Sequence, residues 1–288
     1  MRLALGTVQF GLPYGIANQT GQVNITEARS MLELAANQGI DTLDTAIAYG
    51  NSESRLGELG VGNFKTITKL PAMPEGMLDV AAWVQNQVKG SMDRLGASTL
   101  YGLLLHRSEQ LLGSQGQALF QSLQELKSSG LVRKIGVSVY SPNELDAIFP
   151  RFQLDLVQAP FNLIDRRLQD SGWLQRLNAS GVEVHTRSAF LQGLLLMSKL
   201  EQSAKFSEWS GMWERWHRWL NDHHVSAVRA ALSFPLSFPE VDRIVVGADG
   251  VDQLAQLIVT AKETPHFELP DFSCDSEYLI NPSFWPKR

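Results

Sequence analysis

The chain is poor in the features that mark secreted, membrane and nucleic-acid-binding proteins. It has one cysteine in 288 residues, Cys274, so an internal disulfide is excluded and a reducing compartment is expected. No apolar run approaches the ~20 residues that cross a bilayer, and residues 1–7 are too short and too soon interrupted for a signal peptide. Basic residues are scattered, and the net charge is −5. We therefore expect a cytoplasmic protein without a nucleic-acid or membrane partner.

The composition and periodicity instead indicate a large α/β domain. The chain is 44% hydrophobic and 19% charged, which suits a globular protein with a sizeable core. Eight strand-like segments each precede a helical segment, with no composition break between them, so we expect parallel strands with right-handed crossovers. Eight such units predict a single (β/α)₈ TIM barrel over residues 1–288. The strands are expected at 2–5, just before and including residue 44, and at 65–69, 100–105, 134–138, 155–158, 182–186 and 243–246.

A doubly wound, Rossmann-type sheet is the alternative fold. That fold would place Gly-x-Gly-x-x-Gly directly after the first strand. The segment that follows here, Gly-Thr-Val-Gln-Phe-Gly at residues 6–11, does not supply this pattern. The barrel is therefore the better prediction.

The chemistry is expected around the second strand. This strand ends on Asp44, and Tyr49 follows in a short loop before Gly50, Asn51 and Ser52 begin the next helix. A carboxylate at the end of a barrel strand and a phenol on the following loop lie where (β/α)₈ enzymes place catalytic groups. The alternative is that Asp44 caps local structure and Tyr49 packs against it.

The third and fourth strands add two more polar side chains at the same face. Lys69 ends the third strand and His106 follows the fourth. Each has an ordinary explanation alone, as a solvated lysine and a hydrogen-bonded core histidine. Together, the lysine would favour the Tyr49 phenolate and lower its pKa, Asp44 would balance the lysine, and neutral His106 would orient a carbonyl oxygen. That set suits proton donation to a carbonyl beside a hydride source.

These residues resemble the catalytic tetrad of the aldo-keto reductases. The matching segments are Asp-Thr-Ala-x-x-Tyr-Gly at 44–50, Thr-Lys at 68–69 and Leu-Leu-His at 104–106, and the similarity runs from about residue 2 to 259. The resemblance implies a nicotinamide cofactor, NADPH or NADH, across the C-terminal face of the barrel. It also implies hydride transfer to a small aldehyde, ketone or sugar carbonyl, with Asp44, Tyr49, Lys69 and His106 as the catalytic residues and Tyr49 as the general acid. It implies no metal.

The same resemblance assigns cofactor contacts along the chain. Ser138 and Gln158 would hold the carboxamide, residues 188–193 would surround the pyrophosphate, and residues 247–253 would meet the adenosine end. A helix that begins near Val251 suits that anionic end. The cofactor-binding residues implied in this way are Gly6, Thr7, Asp44, Ser138, Gln158, Arg187, Ser188, Phe190, Leu191, Gly193, Gly247, Asp249 and Gln253.

Several positions depart from the family pattern. Ser138 is followed by Val139 where the family usually has asparagine, and Arg187 stands where many members stack an aromatic ring on the nicotinamide. The adenosine loop has Asp249 and Asp252 and lacks the lysine or arginine that commonly holds a 2′-phosphate. Gln256 and the leucine after it replace the glutamate and asparagine often seen nearby, and the N-terminal hairpin that plugs many of these barrels is missing. We therefore expect weak discrimination between the two cofactors or a preference for NAD(H).

Two segments lie outside the strand–helix alternation of the predicted barrel. An insertion at about 195–222, after the seventh strand, carries four of the seven tryptophans, and the tail covers about 264–288. The tryptophans either pin an extra helix onto the barrel or form a lid over the substrate, because this loop emerges at the catalytic face. The aromatic tail either lines the pocket or packs under the barrel, which we favour. The substrate and the oligomeric state are not readable from the sequence.

Two other function classes stay open at this point. One is a regulatory or binding protein on the same fold, as the potassium-channel β subunits of the family illustrate. The other is a barrel hydrolase or lyase that uses Asp44 and His106, with Lys69 in a structural role. Consumption of NADH or NADPH with a generic aldehyde separates both from the reductase.

Overall fold

The computed structural model describes residues 1–202, 204–263 and 268–285. Eight parallel strands close into a barrel in which each strand pairs with the next in sequence and β8 pairs with β1, so the predicted fold is confirmed. The strands are β1 Leu3–Gly6, β2 Thr42–Asp44, β3 Lys65–Leu70, β4 Leu100–Leu105, β5 Val132–Ser138, β6 Leu156–Pro160, β7 Glu183–Arg187 and β8 Arg243–Val246.

Helices follow the strands and surround the barrel. They are α1 Val8–Gly11, α2 Ile25–Asn37, α3 Ser52–Leu59, α4 Val80–Leu95, α5 Gly116–Ser128, α6 Glu144–Ile148, α7 Arg167–Asp170, α8 Trp173–Ala179, α9 Ser210–Asp222, α10 Ala227–Leu236, α11 Val251–Lys262 and α12 Glu277–Ile280. Short 3₁₀ segments occur at Ser108–Leu112, Leu191–Leu196, Ala204–Trp209 and Pro282–Phe284.

Strand register brings the polar strand ends to one edge. Gly6 pairs with Asp44, and Asp44 pairs with Ile67, which lies two residues before Lys69. The strands themselves are almost wholly buried, because apolar side chains fill the barrel and the layer under the helices. Polar groups that reach the carboxyl end therefore meet above a packed core.

The sequence pattern predicts helices over residues 77–95 and 170–178 and a helix that starts at Ser141, and the structure differs from each for an identifiable reason. The helix expected from residue 77 begins at Val80, because the Asp79 side chain caps it by accepting the Ala82 N–H at 2.9 Å. The helix expected over 170–178 is two helices, since Gly172 adopts a left-handed conformation with φ of 76°. The helix expected to start at Ser141 begins at Glu144, whose carboxylate accepts the backbone N–H groups of residues 140 and 141.

The tryptophan-rich insertion packs onto the barrel. Trp213 and Trp216 on α9 are buried, Trp216 Nε1 donates to the Leu195 carbonyl at 3.2 Å, and its ring meets Phe272 edge-on at 5.5 Å. None of the four tryptophans in this insertion lines the cavity described below. Of the two interpretations, the structure supports the one in which the tryptophans pack an extra helix onto the barrel, and not the one in which they form a lid.

The tail packs on the catalytic face, not under the barrel as expected. The Cys274 N–H donates to the Ile164 carbonyl at 3.0 Å, after β6, and Trp285 stacks edge-on against Phe206 at 5.1 Å. Pro282 and Ser283 reach the cavity wall. The expected tail aromatic Phe267 lies outside the described residues. No helix in the described ranges has the length and apolar character needed to span a membrane.

Candidate active site

A cavity of about 600 Å³ opens at the carboxyl ends of the strands. It extends from the end of β2 to the loop after β8, so it reaches both the predicted catalytic residues and the predicted adenosine end. The predicted site residues in its wall are Gly6, Thr7, Asp44, Tyr49, His106, Ser138, Gln158, Arg187, Ser188, Phe190, Gly193, Gly247, Asp249 and Gln253.

Two predicted site residues do not reach this wall. Lys69 is 1% exposed and lies behind Asp44, where it acts through its neighbours. Leu191 is fully buried and belongs to the hydrophobic core, so its predicted part in the cofactor site, which stays a prediction, would fall to its backbone. Its backbone still shapes the loop after β7.

Lys69 and Asp44 form a buried ion pair at the bottom of the cavity. The Nζ atom lies 2.7 Å from Asp44 Oδ1, and it also donates to the Thr45 carbonyl at 2.9 Å. Burial lowers the pKa of Lys69, while the Asp44 charge raises it. The pair leaves the floor of the cavity without net charge.

The second oxygen of Asp44 is also engaged. Gln158 Nε2 donates to Oδ2 at 2.7 Å, and Ser138 Oγ donates to Gln158 Oε1 at 3.3 Å. Ser138 ends β5, Gln158 lies two residues before the end of β6, and the two residues pair directly in register. The predicted carboxamide residues therefore belong to one hydrogen-bonded chain with Asp44 and Lys69.

Tyr49 and His106 stand side by side above this pair. Their ring centroids are 5.8 Å apart with the planes near perpendicular, and Lys69 Nζ lies 5.1 Å from the Tyr49 ring centre. Within the described residues the Tyr49 hydroxyl makes no hydrogen bond, so it is free to meet a ligand. A carbonyl oxygen placed here would meet a phenol and an imidazole together.

The Tyr49 loop is held by close backbone contact. A Cβ atom on Gly11 would lie 1.7 Å from the Tyr49 carbonyl oxygen, so only glycine fits there. The Ser52 N–H donates to the same carbonyl at 3.0 Å, and Ser52 Oγ donates to the Thr7 carbonyl at 2.8 Å. The first and second strand loops thus fix the phenol jointly.

Protonation states follow from burial and from the neighbouring charges. Burial lowers the pKa of His106 to about 4, and the Lys69 and Arg187 charges act in the same direction. Neutral His106 was expected, and this agrees. Burial, followed by the Asp44 charge, raises the pKa of Tyr49, while Arg187 lowers it. The expectation that the Tyr49 pKa lies below its ordinary value is wrong for this structure, because burial and the Asp44 charge together outweigh the Arg187 charge.

The loop after β7 is unusually shaped. Ser188, Leu191 and Gln192 all have positive φ, at 63°, 48° and 53°, which is rare for residues with side chains. Gln192 Nε2 donates to the Tyr14 hydroxyl at 3.1 Å, and Asn162 Nδ2 donates to the Ser188 carbonyl at 3.0 Å. Strain of this kind concentrates at ligand-binding segments.

The far end of the cavity is acidic. Asn18 Nδ2 donates to Asp249 at 2.9 Å, and burial raises the pKa of that carboxyl. Glu27 accepts the Val251 N–H at 2.6 Å, so a carboxylate already occupies the start of α11. The sequence predicted that this helix start suits an anionic group of the cofactor. It did not predict that Glu27, more than two hundred residues away in the chain, would accept a hydrogen bond there.

The cavity wall offers a dinucleotide polar groups and little positive charge. A Cβ on Gly247 would lie 2.5 Å from Gln9 Nε2, so a side chain at this position would crowd Gln9. The Gln9 Oε1 atom is buried without a hydrogen-bond partner in the described structure, so a hydrogen-bond donor of a ligand could satisfy it. Arg187 is the one lysine or arginine among the described lining residues. Lys205 and Arg215 are the basic residues of the insertion that could have reached in to hold a 2′-phosphate, but neither lines the cavity. Lys205 lies over the Trp285 ring, and Arg215 donates to the Gly211 carbonyl.

Other lining residues were missed because they lie on loops distant in sequence. They come mainly from the loop after β1, the β5 loop and the tail, and include Gln9, Tyr14, Ala17, Asn18, Tyr140, Leu196, Pro282 and Ser283. The position of loops after barrel strands was the available signal, since those loops form the catalytic face.

The aldo/keto reductase family model matches residues 2–266, so the chain belongs to that family. It is therefore an oxidoreductase of a family whose members act on small carbonyl compounds and generally use NAD(P)H.

Individual relatives are distant. The chain is 24% identical over 256 residues to an uncharacterized oxidoreductase, YqkF, of Bacillus subtilis, covering 82% of each chain. It is 26% identical to a D-threo-aldose 1-dehydrogenase of a Pseudomonas species, covering 88% of this chain and 89% of the relative. Among solved structures, the holo form of aldo-keto reductase AKR11C1 from Bacillus halodurans superposes with a TM-score of 0.74 at 22% identity, covering 92% of this chain and 88% of that one, which supports the fold.

Proposed function

We propose that the chain interconverts a carbonyl and an alcohol with NAD(P)H, with Tyr49 as the proton donor to the carbonyl oxygen. The observation that carries the proposal is the meeting of Tyr49 and His106, 5.8 Å apart, directly above the 2.7 Å Lys69–Asp44 pair at the floor of the cavity. The substrate would be an aldehyde, ketone or sugar. The nicotinamide group supplies or accepts hydride when it is bound.

Cofactor residues are proposed along the cavity wall. Ser138 and Gln158 are suited to the carboxamide, because Gln158 Oε1 and Ser138 Oγ keep acceptor capacity after bonding to each other. The loop at 188–193 is suited to the pyrophosphate, and Gly247, Asp249 and Gln253 to the adenosine end. These assignments follow the family pattern and stay proposals.

Tyr49 is suited to its role although burial raises its pKa. A phenol with a raised pKa stays protonated at neutral pH, so it can donate a hydrogen bond to a carbonyl oxygen. As that oxygen becomes an alkoxide, its basicity approaches that of hydroxide, whose conjugate acid has a pKa of about 15.7. Proton transfer from Tyr49 is then downhill, and Arg187 favours the phenolate that forms.

His106 and the ion pair support this transfer. With a pKa of about 4, His106 is neutral at physiological pH and can donate a hydrogen bond without repelling the neighbouring cations. Asp44 holds Lys69 beneath the Tyr49 ring, and Gln158 holds Asp44. We infer that the pair positions Tyr49 more than it shifts its pKa.

The hydrolase or lyase alternative is less favoured by the geometry. Both oxygens of Asp44 are occupied, by Lys69 and Gln158, so Asp44 is poorly placed as a base or nucleophile. A low pKa also makes His106 a weak base. A binding-only protein has no need of a free phenol in the cavity, although an additional partner is compatible with the site.

Binding and turnover together test the proposal. Tryptophan fluorescence should report saturable binding of NADH and NADPH, and a panel of aldehydes, ketones and sugars should give consumption of reduced cofactor with at least one member. Tyr278→Phe serves as a control variant, since Tyr278 is 70% exposed and does not line the cavity. Saturable binding without turnover of any carbonyl compound, in either direction, would favour the binding-protein alternative.

A further inference from the structure

Two arginines flank one tyrosine at the rim of the cavity. The guanidinium carbon of Arg187 lies 4.8 Å from the Tyr140 ring centre, and that of Arg107 lies 5.7 Å from the same centre. Arg107 directly follows His106, and Tyr140 lies two residues after Ser138. Arg187 and Tyr140 line the cavity, and Arg107 lies against Tyr140 outside that lining.

Neither arginine has a carboxylate partner in the described part of the chain, because the nearby acids are already engaged. Asp44 pairs with Lys69. Glu144 accepts the backbone N–H groups of residues 140 and 141 and the Ser108 hydroxyl. Asp165 and Glu277 both pair with Arg167.

Arg187 keeps much of its hydrogen-bonding capacity. It donates through Nη2 to the Val139 carbonyl at 3.0 Å and through Nη1 to Ser188 Oγ at 3.3 Å. A guanidinium has five N–H groups. The other three have no partner among the described residues, and the side chain, half-buried, lines the cavity with the phenols of Tyr14, Tyr49 and Tyr140.

We propose that the carbonyl substrate carries an anionic group, a carboxylate or a phosphate, which Arg187 binds inside the cavity and Arg107 attracts at its rim. This deepens the proposed function and rests on it. With Lys69 neutralised by Asp44 and His106 uncharged, Arg187 supplies the positive charge that the cavity presents. A planar guanidinium with free N–H groups suits either anion.

The cofactor is the competing source of anionic groups. Its phosphates are expected along residues 188–193, beyond Arg187 and away from the tetrad. Arg187 lowers the pKa values of both Tyr49 and His106, so its charge acts at the reacting end. The substrate is therefore the better source of the anion.

Matched substrates and three variants test this assignment. Succinic semialdehyde is compared with butanal, and glyceraldehyde phosphate with glyceraldehyde, which separates carboxylate from phosphate recognition. Arg187→Met and Arg107→Met remove the two charges. Arg133→Met is the control, because Arg133 is an exposed arginine at the start of β5, at the opposite end of the barrel.

The wild type should favour the charged member of at least one pair. Arg187→Met should lower the charged-to-neutral ratio of kcat/KM about 10-fold or more, the usual scale for a charge-assisted hydrogen bond. Arg107→Met should lower it about 3-fold, since the side chain is exposed. Arg133→Met should leave the ratio unchanged, and the NADH dissociation constants of Arg107→Met and Arg133→Met should stay within about 3-fold of wild type.

Two results would overturn the inference. One is equal wild-type kcat/KM values within both pairs. The other is an Arg187→Met variant that binds NADH more weakly but keeps the wild-type ratio, which would assign Arg187 to the cofactor. If no aldehyde is reduced, it is the proposed function that fails. Fluorescence titration of wild type and Arg187→Met with hydroxybutanoate then still decides whether Arg187 binds an anion.

Discussion

Replacing Lys69 by methionine should strongly destabilise the protein, because it leaves a buried carboxylate without its cation. The side chains of Lys69 and Asp44 are 1% and 5% exposed, and their charged atoms are 2.7 Å apart. Breaking such a pair by removing one partner typically costs about 3–5 kcal/mol. Lys69→Met also removes the donor to the Thr45 carbonyl. We therefore expect a loss of about 4 kcal/mol in the free energy of unfolding at neutral pH.

The same strand offers a matched control. Lys65 pairs with Asp41 at 2.8 Å, but both side chains are 41% exposed, so Lys65→Met should cost no more than about 1 kcal/mol. The double variant Lys69→Met with Asp44→Asn removes the unpaired charge, while the amide can still accept from Gln158. It should recover about 2 kcal/mol relative to Lys69→Met. Urea unfolding followed by tryptophan fluorescence measures all four proteins.

Two outcomes would refute this reasoning. A cost for Lys69→Met as small as that for Lys65→Met would show that Asp44 is not left charged and buried. A double variant no more stable than Lys69→Met would show that the loss comes from packing and not from the carboxylate. Reduction by Lys69→Met should also slow, with an altered acid side of its pH profile, because the Asp44 carboxylate then lies beside Tyr49 without its cation.

Four further predictions concern the rest of the site. The pKa of His106 falls from 6.5 to about 4 on folding, so the folded protein favours its neutral form. The free energy of unfolding of wild type should therefore drop by about 3 kcal/mol relative to that of His106→Asn as pH is lowered from 6.5 to 4. Urea titrations that give parallel stability curves for the two proteins would contradict this. NADPH should bind less than ~100-fold more tightly than NADH in fluorescence titrations, because Glu27 and Asp249 occupy the adenosine end, and a larger ratio would reveal a phosphate clamp. Asp249→Asn should shift the ratio of dissociation constants toward NADPH by about 5-fold, and no shift would place the 2′-phosphate elsewhere. Gly11→Ala should cut turnover at least ~10-fold by displacing the Tyr49 carbonyl, and unchanged kcat would show that the loop tolerates the shift.

The barrel and its tetrad could be predicted because both depend on local pattern. Eight strand-helix alternations define the fold, and a residue that ends a parallel strand necessarily lies at the carboxyl edge. Asp44, Lys69 and His106 each end or follow a strand, so their convergence follows from the topology. The helix boundaries were less accurate, since side-chain caps such as Asp79 decide them by single hydrogen bonds.

The charge environment could not be predicted in the same way. Glu27 accepts a hydrogen bond from the Val251 N–H across the closure of the barrel between β1 and β8. The spacing of the two residues in the sequence gives no sign that they are in contact. The Tyr49 pKa depends on how far burial outweighs the neighbouring charges, which requires coordinates. Likewise, Arg107 and Arg187 are eighty residues apart, and their shared contact with Tyr140 appears only once the loops are folded.

Single-turnover reduction by Tyr49→Phe tests the central claim most directly. With saturating reduced cofactor and the best carbonyl substrate of the panel, the rate of cofactor oxidation should fall at least ~100-fold relative to wild type, the scale of general acid catalysis. The cofactor dissociation constants should stay within about 2-fold, and Tyr278→Phe should behave as wild type. A Tyr49→Phe variant that binds cofactor and turns over at a near-wild-type rate would contradict the proposed role of Tyr49.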